Sequence, residues 1–506
     1  MMRAAFAALL VAYNLAAQDA PKILPPGYRV ETIATPKGVA FGVGGMDFAA
    51  DGTLYVCTRE GDVWTRRGDE WRRFASGLHE PLGILVDSDH NVDSDHNRVF
   101  VVQRPELTEL IDRDGNGVAD EYRTVSAAWG LTDNYHEYAF GLIRDDEGNF
   151  YGTLNTTLSW KGWAGSDKWD LARVHDGKMG RAAKYRGWSW RVTPAGEFEP
   201  WSAGMRSPCG IGRNKLGEIF YTDNQGDWVA TSGLHHVVKG RFHGHPSSLM
   251  DHPDWRGVDL NSVSIEKYGE VQTPPAVYFP HGDLASSPGE PVWDETAGKF
   301  GPFVGQVFLG DQTRSNLFRV QLEQVDGVYQ GCAINFIDHL QCGVVRCRFA
   351  PDGSLWCGQT GRGWGSRGPA PFGLQRIVWD GATTPFAIEA VSVARAGFVL
   401  RFTLPVDAES ATATASYEVR RWRYRYQPEY GSKKFDASSV KVEAATLSSD
   451  ATSVELTLDA QSIESAEREA GALPWVYSIT TTVKSGAPAA TLTTATAYYT
   501  LHRWRK

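Results

Sequence analysis

One pattern recurs six times along the chain: an apolar stretch runs into a tight turn and an alternating strand runs out of it. It appears as "GMDFAADGTLYV" from Gly45, "GILVDSDHNVDSDHNRVFVV" from Gly83 and "GLIRDDEGNFYG" from Gly141. It returns as "GIGRNKLGEIFY" from Gly210, "EPVWDETAGKFGPFVGQVFL" from Glu290 and "VVRCRFAPDGSLWC" from Val344. Aligned on the turn, the anchors are Gly52, Asn97, Gly148, Gly217, Gly305 and Gly353, spaced by 45, 51, 69, 88 and 48 residues. Each copy alternates with period two, and no sustained helical period separates the copies. The spacings leave room for four strands per copy, which predicts an all-β, six-bladed β-propeller. "YRVETIA", residues 28–34, is a lone strand expected to complete the last blade, which ends at "LQRIVWD".

The rest of the chain divides around this array. Residues 1–18 have Arg3, an apolar run from Ala4 to Tyr13 and small residues at Ala16 and Ala17, the pattern of a secretory signal peptide. The run is too short to span a bilayer and no later one suffices, so a secreted or periplasmic protein without a transmembrane segment is expected. The propeller is assigned to residues 19–380. After "DGATTP", residues 380–385, composition shifts to Ala, Ser, Thr and Val with alternating runs. Residues 386–506 are therefore read as a small immunoglobulin-like β-sandwich with a docking or supporting role. A formal net charge of -9 leaves no basic stripe for nucleic acid. The six cysteines contain no CxxC or CxxCH pattern. Cys347 with Cys357 and Cys332 with Cys342 are candidate pairs, with buried free thiols as the alternative. The duplicated "VDSDHN" at 86–97 reads as an insertion tolerated in an exposed turn.

In such an array the ends of the inner strands share one face. That face collects Arg59, Glu60, His79, Glu80, Gln103, Arg104, His136, Glu137, Asn155, Arg206, Asp223, Asn224, Gln225, Asp311, Gln312, Gln341, Gln359 and Arg362, a polar ligand site. His136 is the candidate base, since an imidazole accepts a proton near neutral pH. Trp160, Trp163 and Trp169, in the insertion after Asn155, offer flat rings to a sugar or serve loop packing. A separate signal is "DRDGNGVAD", residues 112–120. Asp112, Asp114, Asn116, the carbonyl of Val118 and Asp120 follow the order of a calcium loop, with Gly117 at the sharp turn, and predict structural calcium.

The string from His136 to Tyr151, with "MRSPCGIG", "VVKGRFHGHP", "TRSNLFRVQLE" and "VVRCRFAPDGSLW", resembles the glucose/sorbosone dehydrogenase family over about residues 25–380. "TDNQGDW", "PHGDL" and "GQTGRGWGSRG" are closer still to secreted dehydrogenase-like propellers often fused to a c-type haem domain. The resemblance implies a quinoprotein that oxidises a sugar or polyol. His136 would take the hydroxyl proton and Arg206 would lie over pyrroloquinoline quinone. Glu137, Asn155, Asp223, Asn224, Gln225, Asp311, Gln359 and Arg362 would shape the substrate and cofactor site. Without a CxxCH motif, the electron acceptor would be a separate partner such as a cytochrome. The family's two further quinone-gripping arginines fall near Gly343 and Val345, with Arg346 and Arg348 close by but on shifted register. Two alternatives stay open. One is a lactonase with a channel metal on Glu137, Asn155, Asn224 and Asp311; the other is a propeller that binds polysaccharide or a partner without turnover.

Overall fold

The computed structural model describes residues 23–87, 98–158, 179–361, 365–468, 473–487 and 490–506. The proposed export signal, most of the duplicated "VDSDHN", the three tryptophans of the insertion and Arg362 lie outside the described residues. The architecture is mostly β and propeller-like. Each repeated hairpin forms: Val43–Phe48 with Leu54–Thr58, Gly83–Asp87 with Arg98–Val102, Ala139–Arg144 with Phe150–Leu154. Pro208–Arg213 pairs with Ile219–Asp223, Val292–Trp293 with Val307–Asp311, and Val344–Phe349 with Leu355–Thr360. Among the described anchors, Gly52, Gly148, Gly217, Gly305 and Gly353 all have φ between 77° and 90°, the left-handed region that a side chain would strain. Two more strands follow each of the first five hairpins, giving antiparallel ladders of four or more strands. The sixth ladder takes Phe372–Trp379 and then the early strand Tyr28–Thr32, with Tyr28 opposite Trp379.

The core lies between the sheets. Tyr55 and Val63 of the first sheet pack on Ile84 and Val99 of the second; Phe100 and Val102 of the second pack on Leu142 and Phe150 of the third. The succession continues through Ile143 with Ile211, Phe220 with Phe318, and Phe308 with Leu355, and returns through Trp356 and Leu374 to Met46 and Leu54. Because both faces of each sheet are covered, second strands such as Leu54–Thr58 and Phe150–Leu154 are buried throughout rather than half-buried.

Where the first strands converge, the approach is too close for side chains. A Cβ on Gly44 would lie 2.0 Å from the Pro81 carbonyl oxygen, and one on Gly83 would lie 2.2 Å from that of Gly141. Arg346 fills the same region. Its Nε donates to the Gly44 carbonyl at 2.7 Å, Nη1 to Cys209 and Val345 at 2.7 Å, and Nη2 to Leu82 at 2.8 Å. One buried guanidinium thus joins the first, second, fourth and sixth sheets. Arg348 is also committed, to Glu290 at 3.1 Å and Asp47 at 3.5 Å.

The C-terminal part is not separated from this body. Ile388–Ala394, Gly397–Phe402, Ser453–Leu458 and Val442–Leu447 form one sheet, which packs on Val419, Tyr477, Ile479 and Tyr499 of another. That second sheet is a continuation of the fifth: Thr496–Leu501 pairs with Val328–Ile337, with Cys332 opposite Tyr499, making one eight-stranded sheet. All six cysteines are free thiols, and Cys347 and Cys357 face each other across their hairpin.

Replacing Arg346 by Met removes the donors for four buried carbonyls at a cost of about 1–3 kcal/mol for each one left unpaired. A loss of about 5 °C or more in melting temperature is expected by calorimetry. An unchanged melt would show that Arg346 does not join the sheets.

Candidate active site

His136 lies in the loop entering strand Ala139–Arg144 of the third sheet, and two buried arginines hold that loop. Arg104 donates from Nη1 to the Asn134 carbonyl at 2.8 Å and from Nη2 to the Tyr135 carbonyl. Arg186 donates to the Tyr138 carbonyl at 2.9 Å and to the Gly130 carbonyl at 2.7 Å. Glu80 receives Nε of both Arg104 at 2.8 Å and Arg59 at 3.1 Å; burial opposes its charge, but the two guanidinium groups hold its pKa below the usual range. The Tyr138 ring lies within 5.2 Å of both arginine Cζ atoms. His136 Nδ1 is 3.3 Å from the Thr156 carbonyl. A carbonyl only accepts, so Nδ1 carries the hydrogen and Nε2 keeps the lone pair of a base. Burial, reinforced by Arg206, pushes the imidazole pKa down to about 4, which keeps it neutral at pH 7.

Arg206 is the second member of the site. Its Nε donates to Asp227 Oδ1 at 2.7 Å; Asp227 Oδ2 lies 3.1 Å from His245 Nε2, and Ser247 Oγ is 2.9 Å from His245 Nδ1. The carboxylate only accepts, so His245 donates from Nε2 and takes the Ser247 hydroxyl hydrogen at Nδ1. Burial works against the charge on both Arg206 and Asp227, but their pairing prevails, raising the arginine pKa and holding the carboxyl well below its usual range. The guanidinium rests against Gly226, where a Cβ would be 2.0 Å from Cζ, and Cζ lies 5.3 Å from the centre of the Tyr430 ring. Tyr430 comes from the C-terminal part of the chain.

The remaining expected residues divide into three groups. Glu137, Asp223, Asp311 and Gln359 are bound internally. Glu137 accepts from the Thr132 amide and the Thr157 hydroxyl, both at 2.6 Å. Asp223 accepts the amides of Arg206, Ser207 and Asn224 at 2.8 Å, and burial raises its pKa to about 6. Asp311 accepts the amides of Ser286, Ser287 and Arg314. Gln359 links Gln341 and Gln375. Gln225 donates to the Ala230 carbonyl at 3.2 Å and packs on Gly431. Asn155 and Asn224 differ: each has a buried Oδ1 with no partner among the described residues. Arg104, Asp227, His245 and Tyr430 complete the site. Asp227 stands in "TDNQGDW" and His245 in "VVKGRFHGHP", strings that already stood out, whereas nothing local marks Tyr430.

Beyond this face, Asp112, Asp114 and Asp120 place carboxylate oxygens within 4.8 Å of one another, in the turn between Leu107–Ile111 and Glu121–Ser126. Asp112 accepts the amides of Asn116 and Gly117 at 3.2 and 2.7 Å. Among the described residues, no other set of three His, Cys, Asp or Glu side chains converges in this way. With Glu137 and Asp311 internally bonded, the four-residue channel-metal set is not free as a whole.

A family model described as "Domain of unknown function (DUF7133)" matches residues 65–358. No curated protein matches the chain. Similar solved structures include the PQQ-bound aldose sugar dehydrogenase of Streptomyces coelicolor, at 16% identity and TM-score 0.47, covering 70% of this chain and 99% of the other. The soluble aldose sugar dehydrogenase of Escherichia coli gives 15% identity and TM-score 0.45, covering 69% and 99%. The PQQ domain of pyranose dehydrogenase from Coprinopsis cinerea gives 12% identity and TM-score 0.47, covering 71% and 98%.

The electrostatics of the pair can be read directly. In NMR titrations of histidine-labelled protein, the signal absent from His136→Gln should titrate near pH 4. Arg206→Met removes a positive neighbour, so that pKa should rise toward the ordinary 6.5. A titration already at 6.5 in the wild type would contradict the buried, arginine-facing placement.

Proposed function

We propose, for a chain that belongs to the DUF7133 family, an exported oxidoreductase that removes hydrogen from a hydroxyl-bearing carbon of a sugar or polyol. We read its six sheets as the blades of one propeller over residues 19–380, followed by an immunoglobulin-like sandwich over 386–506. The observation that carries the reading is a neutral, tautomer-fixed His136 and a charged Arg206 on either side of Thr156, whose carbonyl meets the imidazole at 3.3 Å and whose amide donates to the Arg206 carbonyl at 3.0 Å. Nε2 of His136 accepts the proton of the substrate hydroxyl. Arg206 stabilises the negative charge that grows on that oxygen. The partnerless Oδ1 atoms of Asn155 and Asn224 accept neighbouring hydroxyls and orient the ring. Substrate binding thereby satisfies two acceptors that are otherwise buried at a cost.

Pyrroloquinoline quinone fits this site in part. A base and a cation are present, but one of the two further positions is closed: a Cβ on Gly343 would lie 2.1 Å from the Gln312 carbonyl oxygen, and nearby Arg346 is committed to the Gly44, Leu82 and Cys209 carbonyls. Arg206 is the residue that would hold such a quinone, which when bound supplies a two-electron acceptor. A separate carrier such as a cytochrome would reoxidise it. Calcium is assigned to Asp112, Asp114, Asn116, the Val118 carbonyl and Asp120, where it would neutralise three converging carboxylates and stiffen the turn of the second sheet.

With quinone and an artificial acceptor, His136→Ala should lower kcat by about 10²-fold or more, the span of a lost general base. Its melting temperature and quinone binding, read by absorbance, should stay at the wild-type values. Turnover equal to wild type would remove His136 from the mechanism. For the loop, calcium should raise the melting temperature of chelator-treated protein, and Asp114→Ala should abolish that rise. A melt indifferent to calcium would refute the assignment.

A further inference from the structure

We infer that Tyr430 is a stacking platform for the ring of the sugar substrate, so that the site is completed by the C-terminal part of the chain. The inference rests on reading His136 and Arg206 as the reacting pair. Tyr430 lies in the loop between strands Tyr417–Arg423 and Phe435–Val440. That loop is bonded along the segment that carries Asp227. The Trp228 amide donates to the Gln427 carbonyl at 3.2 Å, the Gly431 amide to Gly226 at 2.9 Å and the Ser432 amide to Ala230 at 2.8 Å. Tyr426 adds a hydroxyl bond to the Gly244 carbonyl at 2.5 Å and a ring contact with Trp228 at 5.1 Å.

Within this anchored loop Tyr430 stands out. Arg206, Asp227 and Trp228 are 7%, 2% and 2% exposed, whereas Tyr430 is 53% exposed. One side of its ring faces the Arg206 guanidinium. An aromatic ring held in solvent by paired backbone, at the edge of a buried polar site, offers a large contact surface whose ordering is already complete. A second observation selects the ligand. The partnerless Oδ1 atoms of Asn155 and Asn224 lie in the loops that bound Arg206, and they call for hydrogen-bond donors. A pyranose presents both features, an apolar C–H face for the ring and a rim of hydroxyl donors for the amides. A lipid or an apolar peptide lacks the donors.

The test is binding of methyl glycosides of glucose, galactose and mannose to the full chain without quinone, by saturation-transfer NMR, followed by kinetics on the quinone-loaded protein. At least one glycoside should bind. Tyr430→Ala should weaken that binding, and raise KM, by about tenfold while kcat changes less than about twofold. Tyr430→Phe, which keeps the ring, should restore wild-type affinity, and this rescue separates stacking from a structural role of the loop. Failure of every glycoside to bind, or unchanged affinity in Tyr430→Ala, would overturn the inference. His136→Ala separates this test from the reading of the reacting pair. Loss of turnover with intact glycoside binding upholds that reading whatever Tyr430 does, and intact turnover sinks it while leaving the stacking result to stand by itself.

Discussion

The convergence of the first strands is held by one buried cation. Arg346 takes a guanidinium out of water, which costs several kcal/mol, and offsets that cost with hydrogen bonds to carbonyls of four different sheets. Carbonyls at the inner ends of strands are the groups such a convergence leaves short of partners, because neighbouring first strands meet edge to edge without forming a ladder. The glycines beside them allow the approach, and the arginine then fixes it. At Gly343 the Gln312 carbonyl oxygen would lie 2.1 Å from an added Cβ, and Arg346 is committed to strand-end carbonyls.

The site loops leave the same strand ends, so the axis sets their spacing, and electrostatics sets their protonation. Arg104 and Arg186 clamp the carbonyls on either side of His136, placing fixed positive charge beside an imidazole that burial already keeps neutral. Arg206 remains charged because Asp227 answers it, and His245 and Ser247 orient Asp227. The Ser247–His245–Asp227 series has the composition of a hydrolase relay. Its serine and histidine are each 1% exposed, and it terminates on a guanidinium, so it orients a cation and presents no nucleophile to a substrate. The imidazole and the guanidinium therefore hold different protonation states across neutral pH.

The repeats were legible because tight turns and period-two alternation are local, and so was the closing strand, since Tyr28–Thr32 had no hairpin partner of its own. His136 and Arg206 could be named from strand-end position. Position alone did not separate side chains that keep an unbonded polar atom from those that brace the loops. Asp223 and Asp311 end equivalent strands and look like binding groups, yet each caps backbone amides of an adjoining loop. That distinction depends on where amides up to 25 residues away come to rest, and the turn pattern carries no information about it. Tyr430 was invisible for the same reason on a larger scale, being more than 200 residues from Arg206 in sequence.

The C-terminal part reaches the site because of how it is attached. A sandwich joined by a linker would sample many orientations, and a ring on one of its loops would meet Arg206 only part of the time. Here the fifth sheet runs on without interruption through Thr496–Leu501 into the sandwich, and Arg319 and Gln306 bond back to the carbonyl of Glu389 at the sandwich's first strand. Eight paired strands transmit position far better than a flexible tether. The hairpin that carries Tyr430 is held at one end by that sheet and at the other by the amides and carbonyls of residues 226–230. The same pairing covers strand Val328–Ile337, which would otherwise expose its free edge to aggregation. One continuous ladder thus does two things: it buries the edge of the fifth sheet and it sets an aromatic ring beside the Arg206 guanidinium.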